Sequence, residues 1–252
     1  MIHIPCLSRW NRFLLSMLAP AMIAGLIGCA PNVAPAPAVS DTIDKTQQSA
    51  INPDAAIARL KDGNERFVTG GSLRRDYPAQ VKATSTGQYP FAVVLTCMDS
   101  RTSPEIVFDQ GIGDLFVVRI AGNYAQPDIM GSIEYATKVA GAKLVVVMGH
   151  TECGAIKGAC DNVQLGNLTT VIQALQPAVD DVKDVPGDRT SKNKEFVMLV
   201  TEANIRRTVA KLRSDSPVLH ELEKSGQIKI VGAINDISTG QVTFYDWDGS
   251  HD

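Results

Sequence analysis

Two unbroken apolar runs set the architecture: Phe91-Ala92-Val93-Val94-Leu95-Thr96 and Leu144-Val145-Val146-Val147-Met148-Gly149. Neither alternates polar with apolar residues, so each reads as a buried strand of the kind that fills a parallel sheet covered by helices. Cys97 follows the first run directly, and His150, 53 positions later, follows the second. That interval holds another strand and helix, so the two runs can be neighbours whose following residues meet at the sheet's carboxyl edge.

Cap and turn signals extend the reading to an α/β fold: a mostly parallel central sheet, four parallel strands plus an antiparallel edge strand, flanked by helices. Strands are expected near 91–97, 115–119, 143–148 and 228–233, with the antiparallel one at 241–246. Asn52-Pro53 reads as a cap with proline at the first helical position, and Ile57, Leu60 and Phe67 mark that helix's apolar face. Ser103-Pro104-Glu105 opens a short helix, Asp128 caps one through Val139, and Cys153 begins another. Further helices are expected at 167–182, at 194–213 and from Ser216-Pro217 to 224.

The residues past each run carry the chemistry. Cys97-Met98-Asp99-Ser100-Arg101 and His150-Thr151-Glu152-Cys153 bring together two thiols, an imidazole, a carboxylate and a guanidinium. Cys97, His150 and Cys153 suit tetrahedral zinc and leave its fourth position to water, which separates a catalytic site from a structural one. While the chain stays extended, Cys97, Asp99 and Arg101 recur at a period of two and point to one side. The His-x-x-Cys spacing fits a strand end turning into a helix, whose first turn would favour Cys153 as a thiolate. Zinc lowers the pKa of bound water toward neutrality and so supplies hydroxide. Two thiolates weaken that effect, so Asp99 is expected to accept the hydroxide's hydrogen bond and aim it, with Arg101 holding the carboxylate ionised.

Each residue also has an ordinary reading. Buried cysteines pack as small hydrophobes, Asp99 with Arg101 makes a surface ion pair, and a lone histidine is structural. The rival account for Cys97 and Cys153 is a disulfide, which would leave Asp99, Arg101 and His150 without a shared purpose.

Together the two motifs resemble those of β-class carbonic anhydrases. The likeness continues through Asp109-Gln110-Gly111-Ile112-Gly113-Asp114-Leu115-Phe116-Val117-Val118-Arg119, Ala121-Gly122-Asn123 and Gly131-Ser132-Ile133-Glu134-Tyr135-Ala136, within residues 53–246. It implies one zinc ion per subunit on Cys97, His150 and Cys153, and reversible hydration of carbon dioxide to bicarbonate with an Asp99–Arg101 dyad. It also implies that Gln88, nine residues before Cys97, is the amide donor of the plant-like subclass. Phe116 and Tyr135 match its pocket aromatics, which face the partner subunit's zinc in a homodimer or dimer of dimers. Val94 stands where a bicarbonate-regulated bacterial subclass carries tryptophan, which argues against that regulation. In acid, Asp99 is expected to swing onto the metal and close the site. Two other functions stay open: a related zinc hydrolase acting on carbonyl sulfide or carbon disulfide, and a non-catalytic zinc-binding protein. A closed structural site would not need Asp99 with Arg101.

The N-terminus reads separately. Arg9 and Arg12 precede an apolar stretch, Phe13 to Gly28, that is interrupted by Pro20 and is too short to span a bilayer. Leu26-Ile27-Gly28-Cys29 resembles a bacterial lipobox, so residues 1–28 are expected to be a signal peptide and Cys29 the lipidated mature terminus. A plain secretory peptide cleaved nearby is the alternative. Residues 29–51, with three prolines between Ala30 and Ala38, read as a flexible tether to one domain over 52–252. The implied location is the bacterial cell envelope, facing the periplasm and anchored to membrane. Loss of residues 1–28 moves the formal charge from −3 to −5, and no basic patch suggests nucleic acid. Cys160 lies seven residues beyond Cys153, roughly 10 Å along one helix, and is expected to be a small core residue.

Overall fold

The computed structural model describes residues 38–245. The expected signal peptide, Cys29 and most of the proline-rich stretch lie outside those residues. Five strands form one sheet: β1 (Ala92–Thr96), β2 (Leu115–Arg119), β3 (Leu144–His150), β4 (Lys229–Asn235) and β5 (Val242–Tyr245). Their order is β2-β1-β3-β4-β5, parallel throughout except for the antiparallel β4–β5 pair. β1 and β3 are buried along their whole length, as uninterrupted apolar runs require. β2 is an edge strand and stays half-buried.

Nine α-helices are described: α1 (Lys45–Ala50), α2 (Pro53–Val68), α3 (Tyr77–Thr84), α4 (Pro104–Val107), α5 (Pro127–Glu134), α6 (Gly154–Cys160), α7 (Leu168–Asp181), α8 (Lys194–Asp215) and α9 (Pro217–Lys224). One face of the sheet packs Ala92, Val94, Leu144, Val146 and Val231 under Ala56 and Leu60 of α2. The other packs Val93, Leu95, Val145, Val147 and Ile230 under α5, α8 and α9. A third apolar cluster, from α6, α7 and α8, surrounds Cys97 and Cys153.

The chain departs from β1 to β2 on one side and returns to β3 on the other. The carboxyl ends of β1 and β3 therefore diverge into a crevice, the usual ligand position in open α/β sheets. Thr96 pairs with Met148, so Cys97 and His150 emerge side by side at that crevice.

Several expectations need correction. The tether does not run to residue 51. Val39 bridges to Arg75, Ile43 is buried, and α1 is closed by a capping box between Asp44 and Gln47. Gln48 is buried there, donating to the carbonyls of Pro90 (2.7 Å) and Ala140 (2.9 Å). Helix α3 has no counterpart in the sequence reading. Asp128 is not a cap: Gln126 occupies that position, Pro127 follows, and Asp128 sits in the first turn. The helix expected through Val139 changes at Tyr135 into a π-helical turn, Tyr135–Val139, where the Thr137 hydroxyl bonds the Ile133 carbonyl and competes with the amide ladder. Cys153 is the cap of α6 and precedes its first turn. Among the described residues, no helix is long and apolar enough to cross a membrane.

Candidate metal centre

Cys97, His150 and Cys153 converge. All three are buried, and their ligand atoms lie within 4.8 Å of one another. The two sulfurs are 3.9 Å apart and both thiols are free, far from the roughly 2.05 Å of a disulfide. Two zinc–sulfur bonds of ~2.3 Å at a near-tetrahedral angle put their sulfurs about 3.8 Å apart, so the spacing fits one shared ion.

The imidazole gives a second test of fit. His150 Nδ1 is 2.9 Å from the Thr151 carbonyl, which can only accept, so Nδ1 carries the proton. Nε2 is then a bare acceptor, wholly buried and without a hydrogen-bond partner among the described residues. An orphaned buried acceptor costs free energy that a metal bond would offset. This is also the tautomer that zinc binding demands. The donor set and its geometry fit the ion.

The thiols do not titrate alike. Cys97 is pulled down to about 4 by the Cys153 thiol foremost, with help from the Gly122 amide, which donates to its sulfur at 3.4 Å. Cys153 is pushed up, first by that same contact and then by burial, against the opposing amides of Ala155 and Ile156. Without metal, one proton shared between the two sulfurs accounts for both directions.

Asp99 and Arg101 meet beside the ligands, but strand alternation is not the cause. The extended chain breaks at a turn over Ser100 and Arg101, and Asp99 Oδ1 accepts both the Arg101 backbone amide (3.0 Å) and its Nε (2.9 Å). Oδ2 accepts from Nη2 at 2.8 Å, completing a bidentate clamp. That guanidinium holds the Asp99 carboxyl well below the usual carboxylate range. Oδ2 lies 3.9 Å from His150 Nε2, so the ionised carboxylate borders the ligand set without belonging to it.

Two braces escaped sequence reading. Arg119, at the end of β2, donates to the carbonyls of Cys97 and Asp99, and the Thr102 hydroxyl bonds the same two oxygens. Arg119's place at a strand end beside the motif was the available signal; Thr102 had none.

Gln88, Phe116 and Tyr135 stand apart. Gln88 is exposed in the α3–β1 loop, with no hydrogen bond to the ligand set. Phe116 and Tyr135 pack edge to face, ring centroids 6.2 Å apart, on the open β2 side of the sheet, where Tyr135 is 52% exposed. A broad groove lined by residues of α7 and α8 includes none of the three ligands. Cys160 is buried in the third cluster, as expected.

An open α/β sheet carries at its switch point a buried Cys-His-Cys set that could hold a metal ion, bordered by a clamped carboxylate. Residues 92–242 match the carbonic anhydrase family model. Carbonic anhydrase 2 of Mycobacterium tuberculosis is 37% identical over 208 residues, 79% of this chain and 96% of the relative. The carbonic anhydrase of Mycolicibacterium smegmatis is 36% identical over 199 residues, 76% and 92% of the two chains. Among solved structures, the β-carbonic anhydrase CcaA superimposes with a TM-score of 0.59 at 25% identity, covering 75% of this chain and 95% of the other. A tetrameric β-carbonic anhydrase of Sordaria macrospora gives 0.57 at 25% identity, covering 66% and 86%. The chain belongs to the β-class carbonic anhydrase family, whose general reaction is the hydration of carbon dioxide.

Proposed function

We propose that this protein interconverts carbon dioxide and bicarbonate in the cell envelope, with one zinc ion per subunit on Cys97, His150 and Cys153 and with Asp99 and Arg101 as the orienting dyad. The observation that carries the reading is the orphaned His150 Nε2 facing two thiols 3.9 Å apart, with the Asp99 carboxylate 3.9 Å from that nitrogen. Zinc bound there supplies the Lewis acidity that lets water ionise near neutral pH. Asp99, kept anionic by Arg101, can only accept hydrogen bonds, so it selects a nucleophile that still carries a proton and turns its free lone pair toward the substrate carbon. Arg101 holds the carboxylate in place through three bonds and so fixes the direction of attack.

Gln88, Phe116 and Tyr135 complete the pocket in this reading through a second subunit, as donor to the bicarbonate oxygen and as apolar walls. A half-buried edge strand and an exposed Tyr135 are what a homodimer, or a dimer of dimers, would cover. With Val94 in β1 and Gln88 ahead of it, the plant-like subclass is the better match. Residues 1–28 act as signal peptide and Cys29 carries the lipid, on a tether that ends near residue 38. Mass measurement of the mature protein tests the anchor: diacylglyceryl on Cys29 is expected, and an unmodified terminus overturns it.

Stopped-flow hydration of carbon dioxide tests the reaction. Purified protein should turn over, stop when a chelator strips the metal, and resume with zinc. Bound zinc without turnover would make the protein a binding module, and faster attack on carbonyl sulfide or carbon disulfide would reassign its substrate.

A further inference from the structure

The Cys97 ligand is supported from a helix about a hundred residues away in the chain. Past β2 the chain turns, closed by the Asn123 amide on the Ile120 carbonyl (3.0 Å), with Gly122 at φ +82°. Glycine is required there twice over: the positive φ strains other residues, and a Cβ would fall 2.7 Å from Leu175 Cδ1 in α7. The turn aims the Gly122 amide at Cys97 Sγ, 3.4 Å away, while the Gly122 carbonyl accepts a 2.8 Å bond from Asn204 Nδ2. Asn204 lies mid-way along α8 and is 3% exposed. Its neighbours on α8, Thr201 and Ile205, occupy the space that a Cβ on Gly149, the residue before His150, would need.

We propose that Asn204 is a positioning residue for the metal centre, locking the Gly122 turn so that its amide donates to the Cys97 sulfur; this rests on the zinc reading above. An amide donated to a ligand thiolate draws charge from the sulfur. That relieves the weakness of a two-thiolate site, where excess sulfur donation blunts the metal's acidity. A solely structural Asn204 would brace the turn and leave the sulfur's electrons unchanged.

The test uses full-length protein and two variants lacking a donor of the right reach, Asn204→Leu and Asn204→Ser, with Thr208→Val on the same buried face as control. In metal-free protein, hydrogen exchange over residues 120–124 should quicken at least about tenfold in the Asn204 variants and stay unchanged in the control. In cobalt-loaded protein, the thiolate-to-metal charge-transfer band should move to lower energy, because the sulfur loses a stabilising donor. Zinc affinity should fall about 10- to 100-fold, the usual cost of losing such support. A band and an exchange rate that match wild type in both variants would overturn the role of Asn204. A cobalt-loaded wild type with no thiolate band would overturn the metal reading on which it rests.

Discussion

Gly149→Ala pits two effects against each other at a measurable distance from the metal centre. Relieving glycine's conformational freedom within a strand favours the variant by about 0.5–1 kcal/mol. Against that, the new Cβ would sit 2.7 Å from Ile205 Cδ1, 3.1 Å from its Cγ1 and 3.2 Å from Thr201 Cγ2. Carbon atoms settle at ~3.5–4.0 Å, so the Ile205 methyl, or α8 with it, must give way by about 1 Å. Ile205 is 0% exposed and Thr201 2%, so a turn of the Ile205 χ2 that carries Cδ1 away meets other packed atoms and little can yield sideways. Overpacking of this kind costs about 1–3 kcal/mol, and three simultaneous contacts place it at the upper end. The clash wins by about 2 kcal/mol, a fall in Tm of roughly 4–8 °C for a domain of this size. Thermal and urea denaturation of metal-free protein measures it without ligand linkage. Ile205→Val removes the nearest atom and alone costs about 0.5–1.5 kcal/mol. Combined with Gly149→Ala it should recover at least about 1 kcal/mol relative to the sum. A Gly149→Ala protein as stable as wild type, or strict additivity in the double variant, refutes the packing argument.

Three further outcomes are expected. Asp99→Asn keeps the Oδ1 bonds to Arg101 but turns an amide donor toward Nη2, so hydration should fall at least about 100-fold while zinc content by elemental analysis stays full; unchanged turnover, or lost zinc, contradicts the dyad. Burial pushes the Cys160 thiol up to about 11, so native alkylation at pH 8 should run at least about 100-fold slower than in urea, as mass mapping would show. The unfolded thiol, near 8.5, ionises first, so its contribution to stability is present below that pH and fades as pH rises toward 11. Deleting residues through Ala50 strips the Pro90 and Ala140 carbonyls of their Gln48 donor and should cost at least about 2 kcal/mol in urea titrations, whereas a chain starting at Ala38 keeps both bonds.

Legibility in the sequence followed the range of the physics. β1 and β3 were readable because burial on both faces leaves a run with no polar interruption, and the ligands were readable because each directly follows or closely trails such a run. α1 was not: Lys-Thr-Gln-Gln-Ser-Ala has no apolar face, and its order comes from Ile43 and from Gln48 reaching residues 42 and 92 positions away. Strand alternation points Asp99 and Arg101 to one side, yet a local turn is what joins them. Gln88, Phe116 and Tyr135 came from family resemblance, and within one chain they have no hydrogen bond or packing to the ligands that could have revealed them.

The same division explains how the centre is held. Residue types that can bind a metal are set within two short motifs, yet the atoms that orient them arrive from elsewhere. The Thr151 carbonyl fixes the His150 tautomer, and Thr151 is itself held by the Asn235 carbonyl and by the Ile237 amide on its hydroxyl. Arg119 ties down the Cys97 and Asp99 carbonyls from β2, and Gly122 reaches the Cys97 sulfur. Each support is one or two directional bonds from a turn or strand end that the packed elements hold in place. Loss of packing near the centre should therefore degrade ligand geometry before it unfolds the chain, and metal affinity is the more sensitive reporter of damage to α8 than Tm.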